Sequence, residues 1–339
     1  MKAIIMRSEG GPEVLEWVEL PAPIPKADEV LVRISVVGVN FMDTGVRKGL
    51  FWQEGVSKQI GVEGAGVVAA VGEEVKSFKP GDRVAWAYRR GSYAELITIA
   101  ATELVAVPRA ISDHEAAAVL TQGITASHFT TDFYPVKAGE TALVHAAAGG
   151  LGMLITQMIK FRGGKVIGIV SNEEKAPAAR EAGVDHVIVN SDGSFAPEVV
   201  QLTQGRGVDV VYDGSGPTTF QGSMDALRRS GTFCWYGTVL GAQMPLVLSS
   251  LPKSIKIGYA TFRDHIYTPE LFQKRAGQLF NWILEGKLKI TIGGVYAMAD
   301  AAVAHEDMEN RKTTGKLLLV PDSSRPQGRV NNLPSNRSQ

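Results

Sequence analysis

Cysteine is almost absent: the 339 residues hold one, Cys234. That excludes an internal disulfide and a thiolate zinc cage. Net charge is absent as well, since 35 Lys and Arg balance 35 Asp and Glu. No global field therefore draws the chain to nucleic acid or to an anionic membrane. No apolar run approaches the roughly 20 residues that span a bilayer. The opening stretch MKAIIMRSEGGPEVLEWVEL has an apolar patch too short for a signal-peptide core and then alternates apolar with charged residues. It reads as a first strand and predicts a cytoplasmic protein. The six histidines, at 114, 128, 145, 186, 265 and 305, are dispersed and show no HxxxH spacing. The sequence therefore predicts no metal, because catalytic zinc needs three converging ligands. Only a site assembled by the fold from distant residues stays open.

What is present is ordinary for a folded protein, with 45% hydrophobic and 21% charged residues. The length suggests about two domains. Up to about residue 110, VLVRISVVGV, GAGVVAAVG, DRVAWAY and YAELITIA read as short strands separated by Gly, Pro and Asp. Ser112 and Glu115 then have capping-box spacing ahead of a helix. From 139 onward strands and helices alternate: TALVHA, KVIGIVS, DHVIVN, VDVVYDGSG, GTFCWYGT and SIKIGYATF are near-continuous apolar strands. A parallel sheet covered by helices on both faces needs such strands. The tail after GKLLLV has almost no apolar residues and reads as disordered.

The stretch LVHAAAGGLGM, residues 143–153, carries the chemistry. A strand ends, a small-residue turn follows, and LGMLITQMIK opens an amphipathic helix, a setting in which unpaired N–H groups converge on an anion. Gly149 and Gly150 let a pyrophosphate approach, and Gly152 lets the helix pack against the strand. Ala146 stands where the usual fingerprint has its first glycine. In NAD-binding proteins a carboxylate ends the second strand and holds the ribose hydroxyls. Here that strand ends in Ser171-Asn172, with Lys175 beyond. Ser, Asn and Lys can donate to a 2′-phosphate that a carboxylate would repel, so the cofactor reads as NADPH.

These segments, with MKAIIM, GVNFMDTGVRKGL, GVEGAGVVAAVGEEV, KPGDRVAW, GSYAEL, LTQGITA, HAAAGGLG and TTGKLLL in order over about residues 1–320, resemble the zinc-independent quinone oxidoreductases. These are the zeta-crystallin-like branch of the medium-chain dehydrogenase/reductase superfamily. The resemblance implies an α/β protein with a GroES-like β-rich catalytic domain (1–122 and 263–320) and a Rossmann doubly wound parallel-sheet domain (123–262) that binds NADPH, followed by a tail at 321–339. Asn40 and Val62 replace the cysteine and histidine that bind zinc in the alcohol dehydrogenases of the superfamily. This removes the Lewis acid that polarises an alcohol oxygen.

By resemblance, Asn40 and Asp43 lie in the nicotinamide and substrate cleft with Thr125 on the facing helix, and Phe41 and Met42 lie between them. Asn40 and Asp43 also have a structural reading, as residues that hold the loop after the strand. The cofactor side comprises Ala146, Gly149, Gly150, Leu151 and Gly152 at the pyrophosphate, and Ser171, Asn172 and Lys175 at the 2′-phosphate. Asn190 stands where relatives carry an adenine-stacking tyrosine. Ser215, Gly237, Thr238, Thr261 and Phe262 fall on cofactor-lining loops, and Arg311 before TTGK is a further phosphate-side contact. Phe41, Leu50, Phe51, Trp52 and Trp86 are candidates for an apolar substrate wall or for core. The implied reaction is metal-free hydride transfer from NADPH to a quinone, in a protein expected to be a homodimer. A 2-alkenal or enone reductase is the close alternative. A non-catalytic NADPH-binding protein, crystallin-like or RNA-binding, is the distant one.

Overall fold

A long strand that starts half-exposed and ends buried on both faces organises the β-rich part of the chain. Glu29–Val39 is buried at every position from Val36 to Val39, whereas Leu31, Arg33 and Ser35 still face outward. It pairs antiparallel with Gly64–Val71 along most of its length, with Leu96–Ala100 at its start and with Lys316–Val320 at its end. Register shifts at Leu31/Val32 and Ile34/Val36 are bulges that bend the strand and let it serve several partners. Ile292–Ala297, Arg83–Trp86 and Val105–Ala106 complete a seven-stranded sheet, and Lys2–Met6 and Leu15–Glu19 form a separate hairpin. Ile4, Met6, Val32, Val37, Trp86, Tyr93 and Tyr296 belong to one core. Trp86 is fully buried with its indole N–H on Ser92 Oγ at 2.9 Å, so it is core rather than a substrate wall.

The computed structural model describes residues 1–50, 59–190, 192–236, 246, 249 and 251–321. It divides into Met1–Leu120 with Thr291–Gln339 and, second, Thr121–Ile290. Phe51 and Trp52, and the tail beyond 321, lie outside the described residues.

The second unit holds the parallel sheet. Its order is His186–Val189, Lys165–Val170, Thr141–Val144, Val208–Asp213, Leu227–Trp235 and Lys256–Tyr259, every neighbouring pair parallel. This is the doubly wound order in which the first strand lies where the winding reverses. The helix Gly150–Lys160 follows that strand and buries Leu154, Ile155, Met158 and Ile159, and Gly163 (φ 81°) ends it in the left-handed conformation. The helix Pro217–Ala226 stops short of the following LRRSG. Leu227 is buried and joins the strand beside Val208, with a register shift absorbing the change of direction.

The chain returns to the first unit at Thr291 rather than at 263. The physical reason is a set of ties that periodicity cannot show. The Gln157 amide donates to Lys289 O (3.0 Å) and accepts from Lys289 N–H (2.7 Å), while Phe161 and Trp282 meet ring to ring at 5.2 Å. The helix Pro269–Leu284, capped by Thr268 accepting from Leu271 N–H, thus belongs with the parallel sheet. Among the described residues no helix is long and apolar enough to cross a membrane.

Gln157→Ala removes both bonds to Lys289. It should lower stability by about 1–3 kcal/mol and speed limited proteolysis around 284–290; an unchanged cleavage pattern would refute this account of the boundary.

Candidate active site and cofactor cradle

In the first unit the predicted pair Asn40 and Asp43 sits at the N-terminus of the helix Phe41–Arg47, where the long strand ends. Asp43 reaches back to accept from Asn40 N–H at 2.8 Å, half of a capping box. Asn40 is buried and its amide is fully engaged. Nδ2 donates to Glu63 Oε1 at 2.8 Å and Oδ1 accepts from Lys316 Nζ at 2.7 Å. Lys316 also forms a salt bridge with Glu63, both side chains being essentially inaccessible. Room for this trio comes from Gly38, where a Cβ would lie 2.4 Å from Glu63 Oε1 and 2.7 Å from Lys316 Cε.

Behind the trio a hydrogen-bonded line runs from Asp43 through Tyr93 to His305. The Tyr93 hydroxyl donates to Asp43 Oδ2 at 3.1 Å and meets His305 Nε2 at 3.1 Å. With Tyr93 donating to the carboxylate, His305 is the Nε2–H donor to the phenol oxygen. Burial raises the Asp43 pKa to about 7, against the bond from Asn40 and the Lys316 charge. Burial, reinforced by the Arg47 charge, depresses His305 to about 3. Asp43 Oδ1 and His305 Nδ1 are buried without hydrogen-bond partners among the described residues. Asp43 is thus a carboxyl that can keep its proton near neutrality, a property the sequence does not reveal. Phe41 lies 42% exposed at the start of the helix, Met42 is half-buried, and Arg311 is exposed with φ 55°.

In the second unit the glycine stretch folds as its spacing predicts. Gly149 is the N-cap of the helix that begins at Gly150, with Leu151 half-buried in the first turn. Ala146 adopts φ 48°, the left-handed conformation for which the fingerprint normally supplies glycine. Gly152 cannot carry a side chain: its Cβ would lie 2.3 Å from Ala146 O and 2.9 Å from Ala147 Cα. Gly150 abuts Gln122, whose Oε1 would be 2.2 Å from a Cβ there. That Gln122 oxygen is itself buried without a partner among the described residues.

Beneath the turn, His145 Nε2 meets Ser223 Oγ at 3.0 Å, and Asp213 Oδ2 accepts from Ser223 (2.8 Å) and from Thr219 (2.7 Å). Burial lowers the His145 pKa against the attraction of Asp213, so the imidazole is neutral and acts as a brace. The other Asp213 oxygen accepts from Ser215 N–H at 2.7 Å and shapes that predicted cofactor loop.

At the end of the second strand, the Ser171 hydroxyl is buried without a partner among the described residues. Asn172 is exposed and Lys175 half-buried on the turn Glu173–Lys175. An unpaired hydroxyl where NAD-binding proteins place a carboxylate fits a phosphate-bearing ribose. Asn190 is committed to its own loop, donating to Asp192 at 2.9 Å and accepting from Gly193 N–H at 2.8 Å. Thr125 donates to Thr121 O at 2.7 Å, one helical turn back. Thr261 occupies the N-cap position of the short turn Phe262–His265 without a side-chain capping bond, and Phe262 is half-buried. Gly237 and Thr238 lie outside the described residues.

Of the predicted residues, Phe41, Met42 and Asp43 adjoin Asn40 at one helix start, and Gly149, Gly150, Leu151 and Gly152 share another. Glu63, Lys316, Tyr93, His305, His145 and Asp213 were not singled out by the sequence reading. Glu63 in GVE, Tyr93 in GSYAEL, His145 in HAAAGGLG, Asp213 in VDVVYDGSG and Lys316 in TTGK stand inside quoted segments, and that was the available signal.

Two family models match the chain, "Alcohol dehydrogenase GroES-like domain" over residues 26–109 and "Zinc-binding dehydrogenase" over 182–319. A quinone oxidoreductase of Pseudomonas aeruginosa is 39% identical over 94% of this chain and 99% of its own. A 2-haloacrylate reductase of a Burkholderia species is 33% identical over 95% and 99%. Among solved structures, Escherichia coli quinone oxidoreductase complexed with NADPH is similar at TM-score 0.90 and 35% identity, covering 95% of this chain and all of that one. A mycobacterial protein complexed with NADPH matches at TM-score 0.90 and 39% identity, with coverage of 95% and 100%.

The two displaced titrations predict a pH signature. Between about pH 4 and 7 native Asp43 keeps a proton that the unfolded chain has lost, so its contribution to stability falls as pH rises. Between about 3 and 6.5 native His305 lacks a proton that the unfolded chain binds, so its contribution rises. Asp43→Asn removes only the first. Its stability relative to the wild type should therefore climb with pH from about 4 to 7, by at most about 1.4 kcal/mol per pH unit, and then level off. Denaturant melts across this range check it, and a flat difference would place the Asp43 titration at its ordinary value.

Proposed function

The chain belongs to the quinone oxidoreductase family of the medium-chain dehydrogenase/reductase superfamily, and from this we propose that it is an NADPH-dependent quinone oxidoreductase. The observation that carries the cofactor choice is the pairing of a side-chain-free cradle at Gly149–Gly152 with the unpaired, buried Ser171 hydroxyl. The backbone N–H groups of Gly150 and Leu151 open the helix and would hold the pyrophosphate. Ser171, Asn172 and Lys175 would hold the 2′-phosphate. When bound, NADPH supplies a hydride, and together with one proton this converts a quinone to its hydroquinone.

The chain's own residues divide the remaining work. Asn40 and Val62 stand where zinc ligands occur in the alcohol dehydrogenases, so the acceptor must already be electrophilic, as a quinone is. Asn40 is held rigid by Glu63 and Lys316, which suits a residue that positions rather than reacts. Asp43 stores a proton at its carboxyl near neutral pH, and Tyr93 and His305 fix that carboxyl in place. We place the protein in the cytosol. We also assign it a homodimeric assembly formed by a second copy adding to Lys256–Tyr259, the strand that ends the parallel sheet and leaves Tyr259 60% exposed.

Steady-state turnover with NADPH and NADH against quinones, 2-alkenals and 2-haloacrylate is the direct test. Quinone reduction with NADPH should dominate, and Lys175→Ala should weaken NADPH by about 1–3 kcal/mol while leaving NADH nearly unchanged. Equal losses for both cofactors would remove the 2′-phosphate assignment, and reduction of alkenals alone would replace the substrate class.

Light scattering should give twice the chain mass, and Ile257→Pro, which removes a backbone donor from the terminal strand, should shift it toward one chain. A wild-type monomer at micromolar concentration would overturn the dimer.

A further inference from the structure

Two of the histidines that look dispersed in sequence end up facing each other. His128 closes the helix Asp113–His128 and His265 closes the turn Phe262–His265, with ring centroids 5.2 Å apart. Asp132 lies four residues beyond His128 in a π-helical turn, Phe129–Phe133, and its Oδ2 is 2.5 Å from His265 Nδ1. π-helical turns are frequent at functional sites. One ligand atom from each of the three residues lies within 4.8 Å of the others, and among the described residues no other group of His, Cys, Asp and Glu does this.

Burial separates this cluster from an ordinary surface ion pair. His128 is 7% exposed, yet its Nδ1 has no hydrogen-bond partner among the described residues. Asp132 is 45% exposed, which gives an ion a path from water.

We propose that His128, Asp132 and His265 form a binding site for a divalent transition-metal ion of the zinc and cobalt class, with water completing the coordination shell. Two imidazole nitrogens and one carboxylate oxygen suit these ions and not the all-oxygen preference of magnesium or calcium. Zinc bonds of about 2.0–2.1 Å put tetrahedral donors roughly 3.4 Å apart, a spacing that small side-chain rotations of the three residues reach. As the ion enters, the proton that His265 Nδ1 shares with Asp132 passes to solvent while Nε2 takes one up, so the ring stays neutral and no proton is released overall. Ser127 Oγ, 3.3 Å from His265 Nε2, then accepts from Nε2–H and fixes the ring, as partners of metal-bound histidines do.

Two charges modulate the site. Arg275 Nη2, 3.4 Å from Asp132, must swing aside, while Asp264 acts on His128 with negative charge. The site stands independently of the reductase reading, and the ion's effect is to clamp the turn 262–265 to the end of the helix.

The test uses tag-free, chelator-stripped full-length protein titrated with Zn²⁺ and with Co²⁺, followed by Tm and by the visible absorption of bound cobalt. One ion per chain should bind and raise Tm, with Mg²⁺ giving no shift. Asp132→Asn, an exposed change that leaves the core intact, should weaken binding at least about tenfold. His128→Gln and His265→Gln should abolish the cobalt spectrum, with far-UV circular dichroism checking that each variant folds. No saturable binding by the wild type, or unchanged affinity in Asp132→Asn, would overturn the site, and an equal response to Mg²⁺ would overturn the class of ion.

Discussion

A buried ammonium holds the first unit together. Lys316 begins one strand, Glu63 immediately precedes another, and Asn40 follows the end of a third; the three polar groups meet where almost no water reaches. Removing one member leaves the others charged or unpaired in the interior, a loss of about 3–5 kcal/mol. That penalty fixes the register of the strands, and it also fixes Asn40, from which the helix bearing Asp43 departs. The position of the proton-holding carboxyl therefore follows from the ion pair.

Under the proposed cofactor reading, the second unit solves a different problem, which is to bring backbone close to a diphosphate without trapping unsatisfied groups. It does so by omission above and by bracing below. Side chains are missing at 149, 150 and 152, while His145, Ser223, Asp213 and Thr219 consume one another's polar atoms underneath. Rigid bracing matters because a cradle that had to be ordered on binding would lose affinity to that ordering.

Most of the architecture was legible in the sequence because its signals are local. The capping box at Ser112 and Glu115 is present, with Ser112 N–H on Glu115 at 2.9 Å, and the apolar runs became the parallel strands. The glycine turn was legible for the same reason. What escaped were pairings across long separations: Lys316 with Asn40, 276 residues apart, and Tyr93 with His305, 212 apart. No periodicity encodes these. His128 and His265 were discounted for lacking a short spacing, although a turn returning over the end of the helix supplies what spacing did not. The boundary at 263 failed likewise, because a helix's period says which face is apolar and not which neighbour covers it.

Ala146 has a consequence for how such cradles are recognised. An L-residue in the left-handed region sacrifices roughly 1–2 kcal/mol, yet the turn keeps that dihedral angle without glycine. The fingerprint is thus a constraint on torsion first and on residue identity second. A pattern search that insists on three glycines would pass over a loop whose backbone already has the required shape.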